Sequence, residues 1–151
     1  MDLSNKLDSK TYAYSEEAVL ERIQFRGKVD EVVWFMTHET NVVPLKQEQL
    51  MYLYDESSMM KRALYSLQND GSNRMESIVD GIKAIDPDVL MSYRHVIFFI
   101  QTSEDHPLMM SELNKLQDLT IMFPSTVDIL WGLGVNDTLG DRLFFMLVCS
   151  K

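Results

Sequence analysis

Between His95 and Gln101 lie five apolar residues in a row, Val96-Ile-Phe-Phe-Ile100, with β-branched and aromatic side chains falling on both faces of any extended chain. A strand with no polar face is covered on two sides or sits centrally in a sheet. The remaining segments therefore have to supply its neighbours and its covering layers. Other runs fit that need. Residues 59–67, 127–135 and 142–149 read as strands, and the polar segment Asn136-Asp137-Thr138-Leu139-Gly140-Asp141 between the last two reads as the turn of a hairpin. Met75, Ile78, Val79, Ile82 and Ile85 give the cleanest helical stripe, capped by Ser72 and ended by Pro87. Met109, Leu113, Leu116 and Leu119 give another, opened by Asp105 and Pro107 and closed before Pro124. Upstream, Val19, Ile23, Phe25, Val29, Val32 and Met36 mark a long helix with Ser15 as its cap and Gly27 as a bend. A shorter helix is expected over 46–56. The order implies an α+β fold, a two-layer sandwich of a mixed four-stranded sheet and packed helices behind a long N-terminal core helix. The divisions are a poorly ordered lead-in over 1–14, the core helix and following loop over 15–44, and the two-layer domain over 45–151. Its core is expected from Ile97, Phe99, Ile129, Trp131, Leu143, Phe145 and Leu147 of the sheet, with Ile78, Ile82, Leu113 and Leu116 of the helices.

Charge and cysteine usage exclude several function classes. Fourteen Lys and Arg against 23 Asp and Glu leave a net charge of −9, which disfavours nonspecific binding to nucleic acid or anionic lipid. The densest basic cluster, Lys61-Arg62, is two residues long. One cysteine among 151 residues rules out a disulfide framework and fits a reducing, cytoplasmic compartment. No run approaches the about 18 apolar residues that read as a membrane span, so no direct membrane insertion is expected.

The catalytic and ligand constellations are weak. His38, His95 and His106 share no metal-ligand spacing. No Gly-x-Ser-x-Gly elbow marks a nucleophile. Cys149 falls in an apolar strand, where thiols are buried and inert. Gly132, Gly134 and Gly140 do not run from a strand into a helix N-terminus as a phosphate cradle must; they suit a bulge or a tight reversal. The 11 methionines suit a flexible core better than a promiscuous binding surface.

The closing segment VDILWGLGVNDTLGDRLFFMLV, residues 127–148, resembles the end of the bacterial tubulin homologue FtsZ, with Gly132, Asp137, Leu139, Gly140 and Asp141 in the matching pattern. The likeness continues upstream in order. HVIFFIQTS (95–103) is similar to the preceding central strand, and PLMMSELNKLQDLTIM (107–122) to the helix between the two. LYSLQNDGSNRMESIVDGIKA (64–84) is similar to the strand, Gly71 turn and Arg74-started helix before them. EEAVLERIQFRGKVDEVVWFMT (16–37) takes the place of the long core helix, and Asn5-Lys6-Leu7 that of the linker leaving the GTP-binding domain. The resemblance covers about the whole chain but only the second half of the family.

It implies a role in polymerisation or cell division, with an FtsZ-like subunit or filament as partner. It also implies a contact surface over Asn41, Lys46, Glu48 and Gln49. No counterpart of the family's GTP-binding domain lies in this sequence, so no cofactor is expected here. GTP enters only if an N-terminal domain or a partner subunit supplies the site. The family completes its neighbour's GTPase site with an Asn and two Asp from this loop. The stretch from Asn41 to Tyr54 has no Asp, and Lys46 brings the opposite charge. No catalytic residue is therefore transferred and no GTP hydrolysis is expected of the chain alone. The alternatives are an interaction or regulatory module of the same fold without a filament role, or an enzyme of unknown chemistry using a pocket between sheet and core helix.

Overall fold

The computed structural model describes residues 16–38, 41–67 and 73–151. The expected lead-in over 1–14, the Asn5-Lys6-Leu7 likeness, the Ser15 and Ser72 caps and the Gly71 turn lie outside them. The chain divides after Trp34 into two compact units. Helix α1 (Glu16–His38) runs unbroken through Gly27. A Cβ at Gly27 would meet nothing within 4 Å, so this glycine fills no packing need. Val29, Val32 and Met36 of the expected stripe are buried, whereas Val19 and Ile23 are exposed. Leu20, Val33 and Trp34 fall between the members of that stripe, which puts apolar side chains around the helix instead of down one face.

The second unit, from Phe35 onward, holds the sheet. Its strands are β1 (Asn41–Val43), β2 (Met59–Tyr65), β3 (His95–Thr102), β4 (Asp128–Val135) and β5 (Phe144–Ser150), in the order β1-β4-β3-β5-β2. The four expected strands are joined at one edge by the three-residue β1. As the apolar run requires, β3 is central, parallel to β4 and antiparallel to β5. The expected terminal hairpin does not form: β4 and β5 flank β3 on opposite sides. Their connection steps over the end of β3 and is fastened to it. Asn136 N–H donates to the Thr102 carbonyl at 2.9 Å, Glu104 N–H to Asp137 Oδ1 at 2.9 Å, and the Ser103 hydroxyl to the Gly140 carbonyl at 2.6 Å. Gly140 has φ +63°, a backbone state that favours glycine. Burial explains the topology, because β3 as an edge strand would expose one side of its hydrogen-bonding backbone.

Helices α3 (Arg74–Lys83) and α5 (Met110–Ile121) cover one face of the sheet. Met75, Ile78, Val79 and Ile82 of α3 and Leu116 and Leu119 of α5 pack with Val96, Phe98, Ile100, Leu143, Phe145, Leu147 and Cys149. Ile97 and Phe99 are also fully buried, on the other face, where the Phe35 ring meets Phe99 and Phe144 edge-on. Trp131 departs from the expected core at 43% exposure. Its strand, β4, has a neighbour on its outer side only at Leu133–Gly134, where β1 pairs, so Trp131 lies along an uncovered margin. Ile129 and Leu113 are likewise only half-buried.

Three boundaries differ from the sequence reading. α3 ends at Lys83, and Pro87 instead opens the short α4 (Pro87–Leu90), whose cap Asp86 accepts from Asp88 N–H at 3.0 Å. The helix expected over 46–56 is one α turn, α2 (Gln47–Leu50), followed by a 3₁₀ segment, Met51–Asp55. α5 starts at Met110 instead of Asp105, because Glu112 reaches back to accept from Met109 N–H at 2.9 Å.

The N-termini of α3 and α5 are joined by a buried ion pair. Arg74 Nε and Nη2 donate to the two oxygens of Glu112, both at 2.8 Å. Its Nη1 donates to the carbonyls of His106 and Asp141, and Nη2 also to that of Pro107. All five N–H groups of the guanidinium are thereby used.

Ile82 is fully buried at the centre of the α3 stripe. Ile82→Ala should cost about 2–5 kcal/mol in a denaturant titration. A loss under about 1 kcal/mol would show that this stripe does not carry the core.

Candidate functional site

The segment over residues 41–50 is held at both ends and open in the middle. β1 pairs antiparallel with β4, Asn41 opposite Gly134 and Val43 opposite Leu133, with an irregularity between them. Pro44 then turns the chain, and Leu45 descends onto Gly132. A Cβ there would come within 2.8 Å of Leu45 Cγ and 3.2 Å of the Val43 carbonyl. The glycine expected to serve a bulge thus permits close approach of a crossing segment. Leu45 and Leu50 are buried, and Lys46, Gln47, Glu48 and Gln49 between them are exposed. Lys46 has extended backbone before the first turn of α2, and its N–H donates to Gln49 Oε1 at 2.9 Å.

Of the expected contact residues, Lys46, Glu48 and Gln49 therefore share one exposed turn. Gln49 serves as its internal brace, while Lys46 and Glu48 give it charge. Asn41 stands at the far end of the segment on the sheet margin, its side chain outside the described residues.

A second group of polar residues meets at the opposite end of the strands. Tyr52, His95, Asp128, Ile129 and Leu130 line a cleft of about 330 Å³. The Tyr52 and His95 rings lie 4.6 Å apart between centroids. His95 Nδ1 is 3.4 Å from Asp128 Oδ2 and its Nε2 is 3.6 Å from Glu56 Oε1. The Ser150 hydroxyl donates to the same Glu56 oxygen at 2.9 Å. Burial, with the Glu56 carboxylate beside it, pushes the Tyr52 phenol up to about 12 against the opposing effect of a Ser150 hydrogen bond. The group superficially offers a serine, a histidine and an acid. However, Ser150 is buried and its proton points to Glu56 and not to His95, so the relay that activates a serine is not assembled. No set of three or more His, Cys, Asp or Glu suited to a metal occurs among the described residues.

Sequence reasoning missed this cluster, whose members span Tyr52 to Ser150 without a common motif. A further cleft of about 410 Å³ between α5 and β4, lined by residues including Leu113, Leu116, Ile129 and Trp131, is mainly apolar. Cys149 is fully buried, and burial pushes its thiol up to about 12 against the nearby Arg62. No helix among the described residues is long and apolar enough to cross a membrane.

Cys149 and Tyr52 both hold their protons more tightly in the folded chain than in the unfolded one. As pH rises, the unfolded state loses these protons first. The stability they confer is intact below about pH 9 and is lost between about pH 9 and 12. Denaturant titrations at pH 8.5 and 10.5 should show the fall, with Cys149→Ala reducing the slope by up to about 1.4 kcal/mol per pH unit. An unchanged slope would contradict a buried, protonated thiol.

No protein-family model matches the sequence, and no curated protein is significantly similar to it. Solved structures do match the fold. A structure described as an empty FtsZ dimer from M. jannaschii matches with a TM-score of 0.61 at 13% identity, covering 89% of this chain and 37% of that one. A tryptophan-to-tyrosine mutant of M. jannaschii FtsZ matches with a TM-score of 0.60 at 10% identity, covering 94% of this chain and 43% of that one. The chain thus spans about two-fifths of the length of the FtsZ chains it matches. With its mixed sheet, central apolar β3 and helical cover, it has the fold of an FtsZ-type C-terminal domain.

Proposed function

We propose that this chain is an assembly module of the FtsZ and tubulin type, acting in the cytoplasm in polymerisation or cell division. It meets the nucleotide-bearing face of an FtsZ-like subunit through Asn41, Lys46, Glu48 and Gln49, and it does not itself hydrolyse GTP. The observation that carries the reading is Lys46 on an exposed turn pinned by Leu45 and Leu50, where the family resemblance implies an acidic group. The description of one matched structure as an FtsZ dimer supports a partner of the same type.

The chemistry follows from the charge. A nucleotide-bearing face is negative. An ammonium group approaching phosphate oxygens gains a charge-assisted hydrogen bond. Being protonated, it has no lone pair with which to accept a proton from an attacking water. Glu48 is the single carboxylate between Asn41 and Leu50. Contact without hydrolysis makes the module a cap: it occupies a filament end and leaves the nucleotide beneath it intact.

Added below stoichiometry to GTP-driven FtsZ assembly followed by light scattering, the chain should lower the plateau. Lys46→Glu should remove most of that effect. Lys115→Glu, on the exposed face of α5 where Lys115 approaches Glu76 at 4.0 Å, should retain it. No effect of the wild-type chain, or equal loss from both variants, would contradict the proposal.

The chain alone should give no saturable heat with GTP in calorimetry. A saturable isotherm would show that it carries a nucleotide site of its own.

A further inference from the structure

At the edge of the sheet opposite β1 lies β2, and its outer side is open. It pairs with β5 over seven consecutive residues with no bulge, from Met59 opposite Ser150 to Tyr65 opposite Phe144. The ladder's phase is fixed at both ends. Ser58 and Lys151 exchange N–H···O bonds at 3.0 and 3.1 Å, and Ser66 N–H donates to the Leu143 carbonyl at 2.8 Å. Hydrogen-bonded pairs alternate in an antiparallel ladder. Met60, Arg62 and Leu64 therefore turn their backbone groups to β5, and Met59, Lys61, Ala63 and Tyr65 turn theirs outward. Among the described residues no strand pairs with that outer side. Lys61, Arg62, Ala63 and Tyr65 are exposed, and Leu67 just beyond is 69% exposed.

A regular edge whose outward backbone groups meet no strand among the described residues is a template for another strand. The side chains select which one. Lys61 and Arg62 sit at its centre, and the Arg142 guanidinium lies over the Tyr65 ring, 5.5 Å from its centroid. A second copy pairing antiparallel about the strand centre would set Arg62 against Arg62, or one step over, Lys61 against Lys61. Like charges directly opposite destabilise a sheet. An acidic strand meets the reverse situation locally, and the chain's overall negative charge is screened beyond about 8 Å at physiological salt.

We propose that β2 is an augmentation site for an extended acidic segment of another protein. The segment's main chain pairs with the outward groups of Met59, Lys61, Ala63 and Tyr65. Its carboxylates face Lys61 and Arg142 on one face of the sheet, and an apolar residue at one end rests on Tyr65 and Leu67 of the same face. This edge is separate from the turn carrying Lys46, so the two contacts stand or fall independently.

The test uses a fluorescently labelled, end-capped heptapeptide alternating Glu with Val and Thr, followed by anisotropy against the full chain. Binding should be saturable and about tenfold tighter than for the same peptide with Lys in place of Glu. Ala63→Pro should weaken it about tenfold. The lost N–H points outward, so the ladder to β5 and the fold, checked by circular dichroism, should survive. Methylating alternate backbone nitrogens of the acidic peptide should abolish binding to the wild-type chain, a result that needs no variant to fold. Lys61→Glu with Arg142→Glu should reverse the charge preference. No saturable binding, equal binding of acidic and basic peptides, or indifference to peptide N-methylation would overturn the proposal. So would a dimer in sedimentation that Ala63→Pro dissociates, since that assigns the edge to a second copy.

Discussion

The guanidinium of Arg74 holds the architecture at the point where it is least regular. One side chain donates to Glu112 on α5, to the carbonyls of His106 and Pro107 in the loop before α5, and to the carbonyl of Asp141 in the connection between β4 and β5. Both charged partners are almost wholly buried, at 4% and 1% side-chain exposure. Removing one member of such a pair typically costs about 3–5 kcal/mol, because the other is left charged and unpaired. Glu112 also accepts from Met109 N–H, so the same carboxylate sets where α5 begins. Helix cover, loop and strand crossover are fixed to one another through a single residue.

That anchoring lets β3 be central. The connection over its end is fastened at Thr102, Ser103 and Glu104 on one side and at Asp141 on the other. β5 is thereby delivered to the far side of β3, where Phe145 and Leu147 join the α3 and α5 layer while Phe144 turns to Phe35. Two strands remain at the margins with different fates. β4 is partly covered by β1 and by Leu45 seated on Gly132, and this contact holds the Lys46 turn at the surface. Among the described residues β2 pairs with β5 alone and leaves its other side without a strand.

Much of this was legible in the sequence where a pattern is local. The Met75–Ile82 stripe and the all-apolar Val96–Ile100 run correspond to α3 and β3, because their periodicities arise within one element. Pairing was not local. The turn-like chemistry of 136–141 suits a hairpin equally well as a crossover, and only the demand of β3 for two neighbours decides between them. Trp131 looked like core because its strand is apolar, yet the strand lies at a margin. In the candidate site, Lys46, Glu48 and Gln49 fall within four residues and came from the family resemblance. The meeting of Tyr52, Glu56, His95, Asp128 and Ser150 has no sequence signature, since it depends on three strand ends and a 3₁₀ segment reaching one place.

The fold of an FtsZ-type C-terminal domain, combined with a lysine on the exposed turn of residues 46–49, is the basis for reading this chain as a contact module and not as a GTPase. Amide hydrogen exchange of the full chain, with and without GTP-loaded FtsZ polymer, tests that reading most directly. The account predicts slowed exchange over Val42–Leu50 in the presence of polymer, with the exposed face of α5 unchanged. Unaltered exchange over Val42–Leu50 while polymer is bound, or protection confined to α5, would contradict it.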